Sequence, residues 1–109
     1  MKKHLSTLSL GLIITLSLFL TACGHSRAYE NGYDMGVNAA NSNLRPIVRA
    51  DPGADISGAL TDYYVEMAYE AHKSSVIGFS REGEEEEDYH EGFIDGYTER
   101  GEEIANGNL

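Results

Sequence analysis

Two sets of residues in this chain have the types and spacing to do chemistry. The first is one thiol, Cys23, the only cysteine in 109 residues, standing directly after the small residue Ala22. The second is the run from Glu84 to Asp88 continued by His90 and Glu91. Residues i, i+3 and i+4 share a helix face, so Glu86, Glu87, His90 and Glu91 form a candidate cation set. Carboxylates suit hard cations and imidazole suits zinc, copper or nickel. One helix seldom completes a coordination shell, no glycine-punctuated calcium loop is present, and His25 and His72 are distant in sequence. Acidic side chains at a helix N-terminus are favoured by the macrodipole, which explains the run without a metal. Ser26, Ser57, Ser74, Ser75 and Ser80 have no nucleophile-elbow context. The expectation is no enzyme, no metal site and no cofactor.

The surroundings of Cys23 define its chemistry. Lys2 and Lys3 form a positive n-region, Leu5 to Leu20 an apolar stretch, and Ala22 a small residue at the cleavage position, the layout of a secretory signal. The stretch includes Ser6, Thr7, Ser9, Gly11, Thr15 and Ser17, and it falls short of the roughly 20 mostly apolar residues that span a bilayer. Leu20-Thr21-Ala22-Cys23 resembles the lipobox of bacterial lipoproteins. That resemblance implies cleavage before Cys23 and acylation of its sulfur, which removes the thiol from disulfide and nucleophilic chemistry. Two or more acyl chains make a stable anchor, at about 0.8 kcal/mol per buried CH₂. It also implies an envelope location. Gly24 is not the aspartate that such proteins use for inner-membrane retention, so the outer membrane facing the periplasm is expected in a Gram-negative host.

Three parts follow: residues 1–22 as a removed signal peptide, 23–28 as the lipidated cysteine and a short tether, and 29–109 as a small acidic helical domain. All 18 acidic residues lie after Cys23, opposed only by Arg27, Arg45, Arg49, Lys73, Arg81 and Arg100. Such a surface repels nucleic acid and anionic headgroups, whose binding needs lysine and arginine. A basic protein partner or divalent cations remain compatible.

The periodicity predicts an all-α, three-helix domain. The first segment runs from about Arg27 to Ala40, with Ser26 as N-cap and Tyr29, Tyr33, Gly36, Val37 and Ala40 on one face. Asn41-Ser42-Asn43 would end it, although the spacing continues through Leu44, Ile47 and Val48, so a helix kinked near Pro46 is the alternative. Asp51-Pro52-Gly53 signals a turn. The second segment, about Ser57 to Ser75, places Ile56, Leu60, Tyr63, Tyr64, Met67 and Ala71 inward and Asp62, Glu66, Glu70 and Lys73 outward. Val76 to Gly83 breaks the pattern, with Ser80 as a possible cap. The third runs from Arg81 or Glu84 to Ile104, stacks Tyr89, Phe93 and Tyr97, and stops at Ala105-Asn106-Gly107.

An internal repeat links the first and third segments. Tyr29-x-x-Gly32-Tyr33-x-x-Gly36 and Tyr89-x-x-Gly92-Phe93-x-x-Gly96 share an aromatic-x-x-Gly-aromatic-x-x-Gly pattern. It resembles the glycine-spaced helix-packing motifs of many small bacterial proteins. Each glycine inside a helix costs roughly 1 kcal/mol relative to alanine. Four of them need compensation, either from helix backbones that approach closely, within the chain or across an interface with a partner or a second copy, or from neighbouring tyrosine rings that lie over the missing side chains. Size, lipobox and aromatic-glycine segments together resemble plasmid- or phage-borne entry-exclusion lipoproteins, with no residue-level correspondence. The expected function is therefore a lipid-anchored envelope protein acting through protein contacts. Entry exclusion and weak cation binding are the alternatives.

Overall fold

The computed structural model describes residues 25–76 and 83–109. The expected signal segment and Cys23, the Ser80 cap and an Arg81 helix start lie outside the described residues. Among the described residues there are three α-helices, one 3-10 turn and no strand: α1 Arg27–Ala50, the turn Ser57–Leu60, α2 Asp62–Ser75 and α3 Gly83–Ala105. No helix among them is long and apolar enough to cross a membrane.

α1 begins where the Ser26 side chain accepts a hydrogen bond from the Tyr29 N–H at 3.1 Å, satisfying one of the free donors of the first turn. It does not end at Asn41-Ser42-Asn43. The helix runs through Pro46 to Ala50, with the Asp51 N–H closing on the Ile47 carbonyl. Its buried residues explain why: Gly32, Gly36, Ala40, Leu44 and Val48 recur every four positions. They form one continuous ridge of the kind that packs into a neighbouring helix. Ending the helix at Ala40 would strip Leu44 and Val48 from the core, which outweighs the weak helix propensity of the asparagines. α3 ends as expected, in a cap where Gly107 adopts φ 90°. There the Gly107 N–H bonds the Ile104 carbonyl and the Asn108 N–H bonds that of Glu103.

α1 and α3 run parallel. Ser26 meets Asp88 at one end of the pair, and Asn41 meets Arg100 towards the other. The ridge on α1 grows from glycine through alanine to leucine along its length. The backbones therefore touch near the N-terminal ends, and side chains fill the space further on. There Leu44, Val48, Ile56 and Ile104 are buried, and Leu60 and Leu44 close over Gly101.

The second segment differs from its sequence reading in both extent and phase. Residues Ser57–Leu60 form a 3-10 turn and Thr61 is extended (ψ 155°), so α2 starts only at Asp62. This break uncouples the phase of Ile56 and Leu60 from that of the helix behind them. Ile56 is buried and Leu60 half-buried, but Tyr63, Tyr64 and Met67 are 67, 53 and 49 % exposed, and Ala71 is exposed. The inward line is Val65 and Tyr69, with His72 half-buried beside them. Tyr69 and His72 are selected because their rings pack on the aromatic stripe of α3: Tyr69 tilted on Phe93 at 5.3 Å, His72 stacked on Phe93 at 5.1 Å and on Tyr89 at 5.8 Å.

Candidate functional site

The eight aromatic and glycine residues of the repeat come together in one seam, with Tyr97 beside Gly36. A β-carbon on Gly32 would collide with the Tyr89 carbonyl oxygen, and one on Gly36 with that of Phe93. A β-carbon on Gly92 would collide with the Tyr29 carbonyl, and one on Gly96 with that of Tyr33. The Cα–H groups thus rest on carbonyl oxygens across the seam, contacts that contribute about 0.5–1 kcal/mol each and offset the helix penalty of glycine. Exchanging residue i for i+60 converts each of these four contacts into another. α1 and α3 are therefore related by a local two-fold axis parallel to the helices.

The symmetry does not extend to what covers the seam. On one side, α2 packs on the aromatic stripe of α3, and a space of about 390 Å³ lies between its residues Ala68, Ala71 and His72 and Met35 and Ala39 of α1. Tyr89 and Phe93 are buried there, and Tyr97 with them. The Tyr69 hydroxyl donates to Glu86 at 3.0 Å, the His72 ring shares a proton with the Tyr89 hydroxyl at 2.6 Å, and His90 pairs with Glu66 at 2.8 Å. Lys73 stands over the Tyr69 ring at 5.2 Å, near Glu70 and Glu86.

On the opposite side no third helix among the described residues covers Tyr29 and Tyr33, which are half-buried. They line an open groove of about 550 Å³ together with His25, Glu30, Asp34 and Glu99. The His25 ring stacks on Tyr29 at 3.8 Å. The Tyr29 hydroxyl donates to Asp95 at 2.6 Å, and Glu99 lines the groove with Tyr33. Burial raises the pKa of both hydroxyls above the usual value near 10. The bond to Asp95 adds to the shift at Tyr29, and the charge of Glu99 adds to it at Tyr33. The raised value keeps the Tyr29 proton on its bond to Asp95 at neutral pH and well above it.

The acidic run on α3 is distributed among separate partners. Glu86 takes the Tyr69 hydroxyl, Asp88 accepts from the Ser26 hydroxyl at 2.8 Å, and His90 is held by Glu66. Glu86, Glu87, His90 and Glu91 are not gathered on one centre, and among the described residues no three His, Cys, Asp or Glu side chains converge on a metal position. Tyr69, His72, Asp95 and Glu99 were missed by sequence reasoning. Comparing the two repeats position by position finds Asp95 and Glu99, because they replace Met35 and Ala39. Tyr69 and His72 carry no such signal.

No family model matches the chain, and neither the curated proteins nor the solved structures include a significant match.

Proposed function

We propose that this chain is the precursor of a lipid-anchored envelope protein that works through protein contacts. Its acidic helical domain would be held at the membrane by Cys23, on the outer membrane facing the periplasm if the host is Gram-negative. The observation that carries the contact reading is the outer side of α2. Tyr63, Tyr64 and Met67 are large, apolar or amphipathic, and largely exposed on one helix face, while the same helix packs inward through Val65 and Tyr69. Aromatic residues and methionine are enriched at protein interfaces. The sequence Leu20-Thr21-Ala22-Cys23 supports the anchor. Only Gly24, His25 and Ser26 stand between Cys23 and the first residue of α1, and at about 3.3–3.6 Å per residue this tether keeps the domain beside its membrane.

Acyl labelling and membrane fractionation of Cys23→Ser test the anchor, with loss of label and accumulation of unprocessed precursor expected. Unchanged labelling would overturn it. A photocrosslinking residue at Tyr64 tests the contact surface against one at the exposed Glu102. Adducts in the native envelope are expected from the first position only, and equal yields from both would count against the α2 surface.

A further inference from the structure

The local two-fold axis makes two grooves of one design, and α2 lies along just one of them. In that groove the walls are Tyr89 and Phe93 on α3 and Met35 and Ala39 on α1. The equivalent walls of the open groove are Tyr29 and Tyr33 on α1 and Glu99 on α3, with Asp95 bonded to the Tyr29 hydroxyl. The aromatic wall is kept and the apolar wall is replaced by carboxylates. The exposed rim beside the aromatic wall changes in the same sense: His90 and Ile94 of α3 correspond to Glu30 and Asp34 of α1.

We infer that the open groove is the docking site for an amphipathic helix of a partner protein, laid as α2 lies along the other groove but carrying lysine or arginine on its inward side. The inversion is specific at one position. Beside the α2 groove His90 pairs with Glu66 of α2. Its counterpart Glu30 requires a base where α2 carries that glutamate. The tyrosine faces add to the match, because a lysine or arginine stem packs on a ring while its charge meets the carboxylates. Tyr29 holds Asp95 through its hydroxyl, so that carboxylate is oriented before the ligand arrives. A second copy of the chain does not meet this requirement. The chain carries a net charge of −10, and its own α2 would bring Asp62, Glu66 and Glu70 against the acidic wall.

This inference rests on the protein-contact reading and names the chemistry of one partner, and it is tested without the anchor. The probe is a synthetic peptide of residues 62–75 bearing D62K, E66K and E70K, titrated by fluorescence anisotropy into the full-length chain in nonionic detergent. The peptide should bind, and affinity should fall at least tenfold in the double variant Glu30→Gln/Asp34→Asn and fall with added salt. Binding should persist in Glu87→Gln/Glu102→Gln, which removes the same charge elsewhere. The unsubstituted 62–75 peptide should bind at least tenfold more weakly. No binding, equal affinity for the groove variant, or equal weakening by both double variants would overturn the proposal. Spermidine displacing the peptide at comparable concentration would also overturn it, showing a small-cation site. Since acyl labelling of Cys23 is unaffected by any of these results, failure of the groove and failure of the anchor are distinguishable.

Discussion

Gly92 rests its Cα on the backbone carbonyl of Tyr29, so close that a β-carbon there would also lie 3.0 Å from the Tyr33 nitrogen. The obstacle is backbone on a facing helix and cannot rotate away. Helix propensity favours alanine at this position by roughly 1 kcal/mol. The seam opposes it, since added bulk in a well-packed core typically costs about 1–3 kcal/mol.

Gly92→Ala and Gly36→Ala are therefore expected to lower stability in urea by about 1–3 kcal/mol, against the propensity scale. Leucine at either site should be worse. Gly58 is the control, because a β-carbon there meets nothing within 4 Å. Gly58→Ala should change stability by less than about 0.5 kcal/mol. Normal melting of the seam variants would show that α1 and α3 do not approach as described.

The phase of α2 gives a second prediction. Tyr69 is 1 % exposed and touches Tyr89, His90 and Phe93, so Tyr69→Ala should cost about 3–5 kcal/mol, as other large aromatic truncations do. Tyr63, at 67 % exposure, should tolerate alanine within about 0.5 kcal/mol. Equilibrium urea unfolding distinguishes the two, and the reverse order would restore the phase suggested by the sequence.

The contrast between α2 and α3 shows what the sequence makes legible. α3 was readable because Tyr89, Phe93 and Tyr97 repeat at a helical spacing, glycine punctuates them, and Asn106-Gly107 marks the stop. The repeat marked the glycines for a close approach but left open whether it lay within the chain or across an interface. α1 was readable to Ala40 and ambiguous beyond, where the local signal of Asn41-Ser42-Asn43 competed with the four-residue ridge continuing to Val48. α2 misled because its more apolar side, with Tyr63, Tyr64 and Met67, faces outward, while its packed side carries polar groups on Tyr69 and His72 that are satisfied only by α3. The 3-10 turn before it erased the phase relation to Ile56. The open groove was illegible for a different reason: Asp95 and Glu99 look like ordinary solvated helix charges until α3 is laid on α1.

The tyrosine hydroxyls predict a response to alkali. Burial, followed by the bond to Glu86, raises the pKa of Tyr69, and burial with Asp95 does the same at Tyr29. Unfolded tyrosines ionise near pH 10. Above that pH the unfolded chain binds fewer protons than the folded one, so unfolding stability falls as pH rises from about 10 through the raised folded values. Below pH 10 this contribution is fully present. Urea midpoints measured from pH 8 to 11.5 should decline more steeply in the parent chain than in Tyr29→Phe/Tyr69→Phe. Parallel curves would show that these hydroxyls are not the cause.

The N-terminal cap joins two helices and should be sensitive in proportion. The Ser26 oxygen accepts from the Tyr29 N–H and its hydroxyl donates to Asp88 on α3. Loss of a helix cap alone costs about 0.5–2 kcal/mol. Ser26→Ala should fall in that range, and Asp88→Asn should cost less, since the cap survives and an amide oxygen still accepts. Combining the two should cost less than their sum, because the shared bond is lost once. Additive losses would show that the cap and the bridge act independently.

The acidic run at the start of α3 separates dipole effects from specific bonds. Glu86 is partly buried, accepts the Tyr69 hydroxyl at 3.0 Å and lies 3.9 Å from Lys73, whereas Glu87 is exposed. Both stand near the helix N-terminus, where a carboxylate contributes about 0.3–1 kcal/mol at low ionic strength and less as salt rises. Glu87→Gln should lose only this salt-sensitive part. Glu86→Gln should lose it together with the charge on its hydrogen bond, for a total of about 1–2 kcal/mol, and part of that loss should persist in 1 M salt because the bond is shielded from solvent. Melting both variants at low and high salt decides the matter: equal losses that vanish together in salt would mean that Glu86 acts only through the dipole and that Tyr69 does not depend on it.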